Sequence, residues 1–171
     1  MISFCKFISP LLAIALLSAC GTPETLVFES GPVTLTAEGP LFEGSNTAQG
    51  TWAPGLDEFL QAHGAALDQV RAAKVVAAHL DAFEGGNLNG IRSASLSVAS
   101  EAGDMEQVAV LNPVPPDQQR VTLTTATGQK ALAAHLKQTS VTVVADLDLD
   151  ADSEDDRHVI GTFTIELQLA R

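Results

Sequence analysis

The chain has no tyrosine, one tryptophan and two cysteines, and aromatic residues fill only 5% of its 171 positions. Two cysteines cannot build the disulfide framework of a small secreted domain. Basic residues are scarce too: 9 Lys and Arg face 21 Asp and Glu, for a formal net charge of −12. So acidic a body lacks the cationic surface that neutralises phosphate, which excludes nucleic acid as a partner. The same charge argues against the domain lying flat on anionic lipid. Long apolar runs are missing as well. The run at residues 8–19 falls short of the roughly 20 apolar residues of a membrane-crossing helix, and Pro10 interrupts it. Catalytic motifs are absent: there is no H-E-x-x-H, no G-x-S-x-G and no Walker A. Ser3-Phe4-Cys5-Lys6 spells S-x-x-K only by its letters, at the very start of the chain. The histidines at 63, 79, 135 and 158 share no metal or triad spacing, and the Gly-rich segment 84–90 lacks the Lys-Ser/Thr of a phosphate loop. No enzymatic activity is expected.

What is present begins with the N-terminal stretch. One basic residue, Lys6, precedes an apolar core at about residues 8–17 and then small residues, the order of a secretory signal. The stretch ends in Leu17-Ser18-Ala19-Cys20-Gly21, which resembles the lipobox of bacterial lipoproteins. That resemblance implies that the Cys20 thiol takes a diacylglycerol, that residues 1–19 are removed, and that the new amine is acylated, for example with palmitate. Two or three chains, at about 0.8 kcal/mol per buried CH₂, hold a protein where one chain binds only marginally. Gly21, in place of the Asp that retains such proteins at the inner membrane, implies the outer membrane. The expected organisation is a signal peptide at 1–19, a tether at 20–25 carrying lipidated Cys20, and a single domain at 26–171. Cys5 leaves with the leader and Cys20 is consumed by lipid, so the mature domain has no thiol chemistry. At about 150 residues it can bury roughly 70% of its unfolded surface without a staple.

Along that domain the hydrophobic pattern alternates. Leu26 and Phe28 share a face, and beyond Gly31-Pro32 so do Val33, Leu35 and Ala37, as expected of one bent, half-buried strand. Residues 39–51 read as a polar loop ending at Trp52, whose expected role is to plug the core. Pro54-Gly55 opens a helix with Leu56, Phe59, Leu60, His63 and Leu67 on one stripe, and Gly64 threatens its continuity. Residues 70–83 fit both periods; the reading taken is helix to about Val70 and strand over 73–81. Ala94, Leu96 and Val98, then Val108 and Val110, predict a hairpin, and the prolines at 113, 115 and 116 a connection between sheets or around an edge. A strand at 121–125 leads to a helix at about 129–137, with Leu132 and Leu136 inward and His135 facing solvent. Val141 to Leu149 and Val159 to Leu169 alternate cleanly and predict a closing hairpin. The fold expected is mainly β: an antiparallel β-sandwich of about 7–8 strands with two short helices. The order of lipobox, early strand, Leu-rich helix, hairpins, Ala131-Leu132-Ala133-Ala134-His135-Leu136 and two closing strands loosely resembles uncharacterised bacterial β-sandwich lipoproteins.

The strongest chemical signal is residues 146–156, with seven carboxylates in eleven positions. Asp146, Asp148, Asp150, Asp152, Asp155 and Asp156 are candidate ligands for a weak Ca²⁺ site, since Ca²⁺ takes six to eight oxygens. The EF-hand template fails: counting from Asp146, Ala151 stands where Gly is needed and Arg157 where Glu is needed. A solvated acidic strand face and loop is the simpler expectation. His158 beside Asp155 and Asp156 reads as a charge contact. The function expected is a non-enzymatic, lipid-anchored envelope module that binds or scaffolds another envelope protein, with no cofactor beyond its lipid. The alternative is a Ca²⁺-dependent surface adhesion module using the acidic loop.

Overall fold

A computed structural model describes residues 24–170. The leader, the lipobox and Cys20 lie outside the described residues. Nine strands and two short α-helices follow in order among the described residues: β1 (Glu24–Glu29), β2 (Val33–Ala37), β3 (Gly44–Trp52), α1 (Leu56–Ala62), β4 (Val70–Ala82), β5 (Ile91–Ser100), β6 (Gly103–Leu111), β7 (Arg120–Thr125), α2 (Leu132–Leu136), β8 (Val141–Leu149) and β9 (Arg157–Leu169), with single 3-10 turns at Leu67–Gln69 and Phe83–Gly85. Among the described residues no helix is long and apolar enough to cross a membrane.

The expected sandwich is wrong. Every neighbouring pair is antiparallel, and the strands run in the order β2-β3-β8-β5-β6-β7-β4-β9, with β9 returning to β2. The sheet therefore closes on itself as an eight-strand barrel, with β1 continuing the β2 side of the seam. The closing strand is β9. One of its edges pairs with β4 from Val70↔Leu169 to Ala82↔Val159. The other pairs first with β1, from Glu24↔Leu169, and then with β2, to Ala37↔Arg157. The bend expected at Gly31-Pro32 is the break between β1 and β2, where Gly31 takes a φ of 68°.

The expected hairpin of β8 and β9 is also overturned. β8 lies between β3 and β5, and β9 between β4 and the β1–β2 pair, so the two never meet as partners. Alternating strands satisfy either arrangement, because alternation fixes which face is buried and not which strand lies alongside. The hairpin of β5 and β6 is as expected. The prolines at 113, 115 and 116 join the neighbours β6 and β7 and cross no sheet.

Two strands differ from their sequence pattern for identifiable reasons. β3 occupies most of the expected polar loop, pairing with β8 over its full length. Its inward positions include Ala48 and Gly50, where the barrel is tight. A Cβ at Gly50 would collide with the Thr34 carbonyl, so only glycine lets β2 and β3 approach there. β4 is strand from Val70 onward, with no helix. Bulges between Val70 and Ala72 and between Val75 and Ala77 insert extra residues, so Val70, Ala73, Val75, Ala78 and Leu80 are the buried ones. That spacing is neither two nor 3.6, which is why the stretch fits both templates.

The inward side chains form one buried cluster, as expected of an eight-strand barrel whose interior is just wide enough to be filled. Ala48, Ala78, Ala94 and Ala145 alternate there with Leu35, Leu80, Leu96 and Leu147. At one end the barrel wall has two gaps, each stoppered by a helix. β2 and β3 pair only at Thr36↔Gln49, and below that point α1 packs in with buried Leu56 and Leu60. Phe28 there packs edge-on to Phe59 at 5.0 Å and stacks on Trp52 at 6.3 Å, and Trp52 meets Phe163 at 6.2 Å. Trp52 is the core plug its position predicts.

The second gap follows from the shortness of β7, which meets β4 only at 78–81 and β6 only at 109–110. The segment after β7 closes it. The Gln129 side chain accepts from the Val75 N–H at 2.6 Å and donates to the Val75 carbonyl at 3.2 Å, standing in for a missing strand residue. Lys137 Nζ donates to the Val70 carbonyl at 2.9 Å, and Leu132 and Leu136 are buried. His135, expected to face solvent, is fully buried because α2 lies across the gap and not on the surface.

Candidate functional site

Among the described residues the opposite end of the barrel has no α-helix, only a single 3-10 turn at Phe83–Gly85. That end is built from the β2–β3 connection (38–43), the turn after β4 (83–90), the β6–β7 connection (112–119) and the β8–β9 connection (150–156). Six candidate Ca²⁺ ligands lie along β8 and this last connection, and the carboxylates of Asp146, Asp148, Asp152 and Asp156 each accept from a different donor, while Asp150 and Asp155 are held through their backbone N–H groups. Asp146 accepts from Thr47 Oγ1 at 3.1 Å, and Asp148 from Arg92 Nη2 at 2.8 Å. Asp150 lies against Gly90, whose carbonyl accepts the Asp150 N–H at 3.0 Å. Asp152 accepts the Glu43 N–H at 2.6 Å and Asp156 the Gly39 N–H at 2.9 Å. The Asp155 N–H donates to Ser153 Oγ. Between these contacts Leu41 and Ser153 exchange backbone hydrogen bonds at 2.7 and 3.0 Å, so the acidic connection is laced to 38–43. Among the described residues no three His, Cys, Asp or Glu side chains come together as a metal site.

Beside the acidic connection lies a cleft of about 570 Å³. One wall is the run Pro113, Val114, Pro115 and Pro116; the other carries Asn89, Gly90, Asp148 and Asp150, with Arg92 between. The Val114 N–H donates to the Arg92 carbonyl at 2.8 Å, which ties the proline run to β5. Arg92 also pairs with Glu43 at 3.4 Å, and its hydrogen bond to Asp148 holds the guanidinium above its ordinary range. Next to Glu43 stands Phe42, with 65% of its surface exposed. Arg120 and Asp81 form a second pair on the flank of this end, at 2.6 Å.

The histidines do not gather. His63 is exposed, packed on Phe59 with Nδ1 donating to the Phe59 carbonyl. His79 meets Thr122, and His158 meets Thr36 and the Phe83 ring without touching Asp155 or Asp156. Among the described residues His135 makes the one Ser–His contact, Nδ1 to Ser100 Oγ at 2.7 Å. Its Nε2 lies 3.1 Å from the Asp104 carbonyl, which can only accept, so Nε2 carries the proton and Nδ1 accepts from Ser100. With the ring sealed from solvent and Ser100 Oγ also accepting the Ala102 N–H, this contact fastens α2 to the β5–β6 turn.

Sequence reasoning found the acidic stretch but missed the cleft, Arg92 and Phe42. The proline run at 113–116 was the available signal: three prolines make a stiff apolar wall wherever the chain turns. No family model and no curated protein sequence matches the chain. A solved structure titled Desmodium yellow mottle tymovirus aligns over 98% of this chain and 96% of that one, at 9% identity and a TM-score of 0.27. A likeness so loose carries no argument about fold or function.

Proposed function

We propose that the chain is a lipid-anchored lipoprotein of the bacterial envelope, at the outer membrane. Its barrel is a non-enzymatic module that binds or scaffolds another envelope protein. The observation that carries the reading is the polarity of the barrel relative to Cys20. β1 begins at Glu24, at the end closed by α1 and α2. From Cys20 to Glu24 the chain spans at most about 14 Å. An anchor on Cys20 therefore holds the helix-closed end against the bilayer and leaves the cleft end outermost. The acidic surface gains nothing from anionic lipid, so the acyl chains are the membrane contact.

The Ca²⁺-dependent adhesion alternative uses the same end. It needs several carboxylates to converge on one ion, whereas Asp148, Asp152 and Asp156 here accept from an arginine and from backbone N–H groups. The test is metabolic labelling with an alkyne fatty acid, followed by affinity capture from detergent-solubilised envelopes. The wild type is expected to take the label and bring down a stoichiometric partner, and Cys20→Ala to lose both. Equal labelling of Cys20→Ala would sink the reading.

A further inference from the structure

The cleft and its surroundings are specific enough to name the chemistry of the partner. We infer that the cleft at the loop end seats an extended, cationic segment of a protein; this rests on the proposed binding role. The proline wall supplies a flat apolar surface that costs little to order, since proline has little conformational freedom left to lose. The facing wall is anionic. Asp148 and Asp150 line it, and its one cation, Arg92, is already shared between Asp148 and Glu43.

The wider rim is unbalanced in the same sense. Among the described residues the ion pairs are those of Arg92 and Arg120; Glu38, Glu84, Asp150, Glu154 and Asp155 form none, and the nearby Arg157 guanidinium, beside Gly90, is spent on the Asn89 carbonyl. Such a concentration of one sign steers oppositely charged chains and rejects like-charged ones. Phe42, exposed one position from Glu43, adds the aromatic anchor that charge alone does not provide. Lysine or arginine side chains would meet the uncompensated carboxylates while their apolar stems lie on the proline wall.

The test titrates a fluorescent peptide of alternating lysine and valine into the full-length lipidated protein in non-ionic detergent. Saturable binding that weakens with added salt is expected, and a glutamate–valine peptide is expected not to bind. The double variant Phe42→Ala/Asp150→Asn should bind at least about tenfold more weakly. Asp57→Asn/Asp68→Asn, which removes the same kind of charge at the helix-closed end, should leave affinity unchanged. Equal weakening in both pairs would reduce the effect to net charge and overturn the inference. So would the lack of saturable binding by protein that carries its acyl label. Protein without the label would instead overturn the lipoprotein reading, while the titration still decides the cleft.

Discussion

The two ends of this barrel are closed by opposite means. At one, short strands leave gaps that α1 and α2 fill with buried Leu56, Leu60, Leu132 and Leu136 and an aromatic group around Trp52. At the other, the connections are held by carboxylates that accept from backbone N–H groups, as Asp152 does from Glu43 and Asp156 from Gly39. Burial contributes in proportion to the area removed from water, whereas an exposed hydrogen bond largely exchanges one partner for another. The helix-closed end should therefore carry the stability, and the loop end should tolerate change. Polar closure leaves a surface that can re-form around a ligand; apolar closure does not.

The largest effect that would test this contrast is Trp52→Ala. It should cost about 3–5 kcal/mol, through lost burial and a cavity against Phe28 and Phe163. Urea unfolding followed by far-UV circular dichroism reads it. Next is Gln129→Ala, which strands the Val75 N–H and carbonyl without their side-chain partner. A loss of about 1–3 kcal/mol is expected in the same assay, with earlier hydrogen exchange at Val75. Asp152→Ala should cost only about 0.5–1.5 kcal/mol and raise exchange at Glu43 while the barrel amides stay protected. If barrel protection fell as well, the two ends would not be energetically separate. Smallest of all is Arg92→Ala, an exposed double ion pair whose loss should leave the urea midpoint unchanged. Finally, millimolar CaCl₂ should move the melting temperature no more than MgCl₂ at equal ionic strength. A Ca²⁺-specific rise of several degrees would favour the adhesion alternative.

How far the sequence could be read follows from the same two ends. β8 and β9 alternate strictly and are legible, as is the Gly31-Pro32 break. β4 is not, because its two bulges change the spacing of buried residues. β3 is not either, because a strand crossing tightly at Gly50 needs small residues where a hydrophobic signal would be. Sandwich and barrel impose the same inward–outward alternation, so the pattern cannot separate them. What separates them is β9 using both of its edges, a pairing between segments up to about 145 residues apart. The acidic run is plain in the sequence. The cleft beside it is not, since it joins Arg92, the proline run and Asp148 from three distant stretches.

The position of β9 in the ring has a consequence for how the molecule is made. Every strand it pairs with, β1, β2 and β4, precedes it in the chain, and the first of them waits across nearly the whole domain. The circle of hydrogen bonds cannot shut until β9 has been synthesised and delivered. Contacts this distant in sequence form slowly, because the closure entropy is lost before any pairing repays it. Until then the strands that will flank β9 keep bare edges, ready to pair with any neighbouring chain. Any delay in β9 therefore prolongs the time for which those edges stay open to mispairing.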